Sequence, residues 1–254
     1  MIALALAFFV TALLYASVGF GGGSTYNALL VLGGIDYRVV PVIALACNII
    51  VVSAGTLAFA RAGHLPWRQA WPLFALSVPL AWAGGGIIIP EAAFTGLLAA
   101  ALLLAGLFML WQPERGQAGQ QPRQAGWREA GIGGALGFLA GVTGIGGGIF
   151  LAPVLHLTRW GGAKAIAGTC ALFILANSVA GLLGQLGKAD GFDRAAALAA
   201  HWPLLPAVLL GGVIGARLGS GPLPPRAVRV ATAILILYIG ARLLWRFGQL
   251  AGGG

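Results

Sequence analysis

The sequence predicts an all-α polytopic membrane protein made of two inverted repeats, each a broken or re-entrant glycine-motif hairpin plus three transmembrane helices. Three observations carry that reading. The 254 residues are 59% hydrophobic and 8% charged, with a mean hydropathy of +0.92, whereas a soluble domain carries about 25% charged residues. The motifs GFGGGST (19–25) and GIGGGIF (144–150) each interrupt a long apolar stretch. A series of matching residues then follows each motif in the same order.

Helices rather than a barrel are implied, because the apolar segments are continuous and about 20 residues long, without strict alternation. They run over 1–34, 39–60, 70–89, 92–111, 130–157, 163–187, 195–216 and 227–247. The first segment lacks a Lys or Arg before its apolar run, so it reads as mature protein and not as a cleaved signal. Residues 112–129 are rich in Gln, Gly and Pro and read as a polar linker. The linker separates a first transmembrane repeat, 1–111, from a second, 130–254.

The halves match in register. Gly21-Gly22-Gly23 corresponds to Gly146-Gly147-Gly148, and Asn48 and Asn177 follow 25 and 29 residues beyond their triplets. Gly55 and Gly184 each come seven residues after the asparagine, and Trp71-Pro72-Leu73 answers Trp202-Pro203-Leu204. Glycine triplets disfavour helix by about 1 kcal/mol per residue against alanine, so each triplet predicts a break. Residues 130–143 span about 21 Å at 1.5 Å per residue, short of a ~30 Å hydrocarbon core, which favours re-entrant hairpins. With both glycine segments re-entrant, ten Lys or Arg fall on one side of the membrane and five on the other. That split places the linker inside and both termini outside a bacterial-type cytoplasmic membrane.

A broken helix in a bilayer exposes backbone N–H groups that a cavity or a ligand must satisfy. The N-terminus of the second fragment adds a positive dipole end. Two such breaks in corresponding halves point to a secondary-transporter site at the midplane. The residues expected to bind an anion there are Gly21, Gly22, Gly23, Ser24, Thr25, Asn48, Gly146, Gly147, Gly148 and Asn177. Each asparagine amide either donates to an oxyanion or caps the broken backbone of its own hairpin. The competing reading of the glycines is close helix packing.

The remaining polar residues narrow the chemistry. The six carboxylates, Asp36, Glu91, Glu114, Glu129, Asp190 and Asp193, all fall at or near segment ends, which argues against a carboxylate proton relay. Among His64, His156 and His201, the last is the deepest and the one candidate for proton linkage. Cys47 and Cys170 have neither disulfide nor metal spacing and read as small buried residues. The 15 Lys and Arg are scattered over short connections, so the +9 charge speaks for topology and against nucleic acid. No nucleophile–base pair is visible, so an enzyme is not expected. No cofactor or metal is expected either. The expected partners are a small anionic substrate, the lipid bilayer and, optionally, a second copy in a homodimer.

The triplets, with GGGIFLAP (146–153), AGTCALFILANSVAGLLGQL (167–186) and ALACNIIVVSAGTLAFARAGHLPW (44–67), resemble the TauE/SafE sulfite exporter family. The resemblance implies transport of sulfur-containing anions such as sulfite or organosulfonates, and it adds Thr169 to the expected site. Two features depart from the family pattern. Ala44-Leu45-Ala46 and Thr169-Cys170-Ala171 stand where Thr-Ser-Leu is usual, and Ala28 replaces the proline kept at Pro153. These changes make the first-half site less polar than the pattern. An anion channel, or a non-transporting membrane protein with packing glycines, stands as the alternative.

Overall fold

A computed structural model describes residues 1–18, 20–111, 122–219 and 225–252. Gly19 of the first motif and most of the linker, 112–121, lie outside the described residues. The chain is all-helical: α1 (Ile2–Val18), α2 (Gly23–Leu32), α3 (Val40–Arg61), α4 (Trp67–Gly86), α5 (Glu91–Trp111), α6 (Trp127–Thr143), α7 (Gly148–Leu157), α8 (Ala163–Leu186), α9 (Arg194–Ala200), α10 (Leu204–Gly219) and α11 (Pro225–Gly252). Both glycine motifs interrupt a helix, and each break separates a 17-residue limb from a 10-residue one.

α3, α5, α8 and the Thr232–Gly252 part of α11 are long and apolar enough to cross a membrane. A fifth span is reached if α9 and α10, bent by 65°, count as one. α4 has the length, 20 residues, but its Trp, Pro and Gly content keeps it out of that set. The eight apolar segments thus yield four or five spans by length and apolarity. α6 begins at Trp127, where the Glu129 carboxylate accepts the Gly126 N–H at 2.9 Å, so the last residues of the expected linker are helical.

Helices in lipid gain no hydrophobic drive from meeting one another, so close approach depends on small residues. A Cβ built on Gly133 would lie 2.5 Å from the Leu73 carbonyl oxygen, and Gly137 and Gly141 meet those of Ser77 and Ala81 more closely still. These pairings lay α6 along α4 in the same direction. Gly211 and Gly215 meet the Phe9 and Leu13 carbonyls in the same way, laying α10 along α1. α8 runs antiparallel to α3, with Gly168 beside Phe59 and Gly181 beside Leu45. α11 runs antiparallel to α5, with Gly96 beside Phe247 and Gly106 beside Leu237. Exchanging the two halves turns the α4–α6 pair into α10–α1 and maps the α3–α8 and α5–α11 pairs onto themselves.

The connections gather at two ends. At one, Arg246 donates to the Val31 carbonyl and pairs with Glu91 at 3.3 Å, joining the close of α2 to the start of α5. At the other, the Arg123 N–H donates to the Trp160 carbonyl at 2.8 Å. That bond ties the chain just before α6 to the chain just after α7. Two buried clusters surround the short helices. Phe8, Tyr26, Leu30 and Phe94 pack about α2, while Leu151, Leu155, Trp160 and Phe173 pack about α7.

Candidate functional site

Each short helix starts from a left-handed glycine. Gly22 has φ 84° and caps α2, and Gly147 has φ 79° and caps α7; Gly146 before it sits at φ 82°. An L side chain is strained there, so backbone geometry favours glycine at positions 22, 146 and 147. The first bonded amide of α2 is that of Thr25, donating to the Gly22 carbonyl at 3.0 Å; in α7 it is Phe150, donating to the Gly147 carbonyl at 3.1 Å. The N–H groups of Gly23 and Ser24, and of Gly148 and Ile149, precede these and form the open, positive end of each helix.

Asn48, fully buried in α3, lies against both breaks. A Cβ on Gly21 would stand 2.6 Å from its Oδ1, one on Gly146 would stand 2.9 Å from its Nδ2, and one on Gly23 would be closer again. Its Nδ2 donates to the Ile145 carbonyl at 3.2 Å. Its Oδ1 has no partner among the described residues. Asn48 therefore bridges the two motifs across 97 residues of sequence.

The other expected residues are distributed less evenly. The Ser24 and Thr25 hydroxyls face Tyr15 Oη at 3.4 and 2.7 Å. Asn177 Nδ2 donates to the Phe173 carbonyl of its own helix at 2.9 Å, leaving its Oδ1 unpartnered among the described residues. Thr169 is fully buried with an unpartnered hydroxyl, one residue before Cys170, whose carbonyl lies 3.2 Å from a Cβ built on Gly148. Among the described residues no hydrogen bond joins Thr169 or Asn177 to the breaks. His201 sits at the α9–α10 bend, with Nδ1 2.8 Å from the Ala197 carbonyl.

Two contributors, Asn27 and Tyr15, escaped the sequence reading, and Ser178 ranked there behind the two asparagines. Asn27 Nδ2 donates to the Thr143 carbonyl at 2.7 Å, a second tie from the first half to the second break. Ser178 Oγ lies 3.0 Å from a Cβ built on Gly146 and is also unpartnered. Tyr15 orders the start of α2. Asn27 carried a usable signal, since a carboxamide inside an apolar run needs a buried partner; Tyr15 looked like an ordinary helix residue.

Apolar helices fit to span a bilayer, paired about two glycine-broken hairpins that converge on a buried amide, define a polytopic membrane protein of the transporter class. The model for the family described as "Sulfite exporter TauE/SafE" matches residues 4–243, and the chain belongs to that family. It is 37% identical over 247 residues to the "Probable membrane transporter protein y4hK" of Sinorhizobium fredii (strain NBRC 101917 / NGR234), covering 96% of this chain and 98% of that protein. No solved structure matches.

Proposed function

We propose that the chain is a secondary transporter, an exporter of a small sulfur-containing anion such as sulfite or an organosulfonate across a bacterial cytoplasmic membrane. The anion binds between the two breaks, near the midplane of two inverted repeats with six crossings and two re-entrant hairpins. The observation that carries this is the position of Asn48, wedged between both glycine motifs with an unsatisfied polar atom. Two helix N-termini supply positive potential there, worth roughly half a charge each, in a region whose nearest side chains are neutral. The inverted arrangement is supported by the parallel α4–α6 and α1–α10 pairings and the antiparallel α3–α8 pair. Re-entrance is supported by the Arg123–Trp160 bond at the feet of the second hairpin.

The packing alternative has its own observation. Gly133, Gly137, Gly141, Gly211 and Gly215 all face neighbouring backbone carbonyls and are packing glycines. The triplets differ from them: Gly22, Gly146 and Gly147 carry left-handed backbone, and Gly21, Gly23 and Gly146 face the Asn48 side chain. The test is flux of a labelled sulfonate into proteoliposomes with the membrane potential clamped. An inside-negative potential of 100 mV supplies about 2.3 kcal/mol per charge, enough to drive a monovalent anion out to a concentration ratio of roughly fifty. Flux that follows the potential supports uniport. Flux that ignores it, tracks a pH gradient and loses that dependence in His201→Gln would replace uniport with proton-linked transport. No flux above protein-free vesicles for any sulfur oxyanion would sink the transporter reading.

A further inference from the structure

At the end of the molecule where α3 and α5 begin and α4 and α8 finish lies a cavity of about 270 Å³. Its walls bring together Arg38, Lys188, Asp190 and Arg194, with Gln185 and Val142 at its inner side. The Arg194 side chain is 3% exposed and is gripped by Asp190 through two bonds of 2.6 Å, Nη1 to Oδ1 and Nη2 to Oδ2. Its Nε–H is buried and has no acceptor among the described residues. Lys188 Nζ donates to the neutral Gln185 Oε1 at 2.7 Å. Arg38 lies over the Tyr37 and Phe192 rings at 5.9 and 5.8 Å, with Asp36 3.9 Å away.

The charges do not balance. Asp190 is committed to Arg194, and Asp36 stands beside Arg38 at the rim. Among the described residues Lys188 hydrogen-bonds only an amide, and the cavity residues from the α4–α5 connection, α5 and α6 (Ile88, Ile89, Phe94 and Val142) are not ionisable. We propose that this cavity is an anion-binding vestibule, distinct from the glycine breaks, in which a small oxyanion is held by Lys188 Nζ and Arg194 Nε. The proposal rests on the transporter reading only for its use as a mouth of the path. Gln185, the partner of Lys188, also donates through Nε2 to the Gly141 carbonyl at 2.9 Å. That carbonyl belongs to the last turn of α6, directly before the second break. Binding in the vestibule thus competes for the lysine that holds this amide.

The vestibule has a pH signature. Burial pushes the Lys188 ammonium down to about 8, Arg194 adds to the effect, and Asp190 opposes it. The Arg194 guanidinium holds Asp190 well below the usual carboxylate range, so the ion pair persists across the range tested. Protonated Lys188 attracts the anion, so affinity falls as pH rises through about 8.

Methanesulfonate, whose charge does not change between pH 6 and 10, is the probe. Its stabilisation of the detergent-purified full chain is read from thermal unfolding at pH 7 and pH 9.5. The wild type should need about tenfold more anion at pH 9.5, the order expected for one charge-assisted hydrogen bond. Lys188→Gln should need the higher concentration at both pH values. Lys188→Arg, which cannot deprotonate in this range, should keep the tighter response at both. Identical dose curves for the wild type and Lys188→Gln, or no stabilisation of the wild type at pH 7, would overturn the vestibule. Transport itself is judged separately by liposome flux, so its failure and this one are told apart.

Discussion

The two glycine hairpins share a backbone and differ in almost everything else. Both place a left-handed glycine ahead of a 10-residue helix after a 17-residue limb. In the first hairpin the residues after the triplet are Ser24, Thr25, Tyr26 and Asn27, all buried. In the second they are Ile149, Phe150, Leu151 and Ala152, flanked by Phe173 and Ile174. The two side-chain bonds that join the halves at the breaks start from first-half amides, Asn27 and Asn48, and end on second-half carbonyls, Thr143 and Ile145. The lesson is a division of labour. Both motifs share the backbone geometry that opens a helix end, while the first half supplies the amides that bond across the breaks and the second supplies the carbonyls they meet, with Ser178 beside Gly146 among otherwise apolar walls. The losses at Ala44 and Ala46 therefore do not leave the first half apolar, because its short helix carries the polarity instead.

The sharpest way to break this comparison is to alter the bridging amide. Asn48→Asp puts an acceptor-only group against the Ile145 carbonyl and a negative charge where an anion is to bind. Transport should be abolished, with about 3–5 kcal/mol lost if the carboxylate stays ionised and unpaired. Substantial residual flux would show that the substrate path avoids Asn48.

Next in size is a paired test at Gly21, whose φ is not left-handed. Gly21→Ala should destabilise by about 1–3 kcal/mol, because the new methyl meets Asn48 Oδ1. Adding Asn48→Ala removes that obstacle. The double variant should regain much of the thermal stability and still not transport. Recovery of flux together with stability would make Gly21 and Asn48 a packing pair. Gly22 and Gly147 cannot serve for this purpose. A valine at either is strained by its positive φ and meets Tyr26 or Phe173 about 3 Å away, so loss of function there would not separate binding from folding.

The smallest effects sharpen the asymmetry. Asn27→Ala removes the tie to the second break and should cost about 1 kcal/mol, within the range seen for interhelical hydrogen bonds in membranes, and lower flux severalfold. Asn177→Ala loses a bond to a carbonyl of its own helix and should change stability by less, with flux near wild type. Equal loss of flux in the two variants, compared in liposomes at matched protein density, would mean that the second half contributes side chains after all.

Much of the fold was legible because its causes are local. Apolar composition requires helices in a bilayer, and the left-handed backbone at Gly22, Gly146 and Gly147 favours glycine, although Gly84-Gly85-Gly86 remain helical at the end of α4. The acidic residues that the structure describes lie where the sequence put them. Asp36 is in a connection, Glu91 and Glu129 are in first turns, and Asp190 and Asp193 lie between α8 and α9. The matched spacing of Asn48 and Asn177 does not carry matched contacts. Of these two, Asn48 alone is hydrogen-bonded to a break among the described residues.

What the sequence determined by itself is the class of protein, the places where the backbone must break, and the family to which the chain belongs. The tertiary structure decided which buried amide meets which carbonyl. It also gathered Arg38, Lys188 and Arg194 from both halves around one cavity. The physical reason is range. A left-handed backbone favours glycine at that very position, so the preference is written in the residue itself. A hydrogen bond from Asn27 to Thr143 spans 116 residues, and its existence depends on how small residues let α6 settle against α4 and α8, which no local pattern encodes.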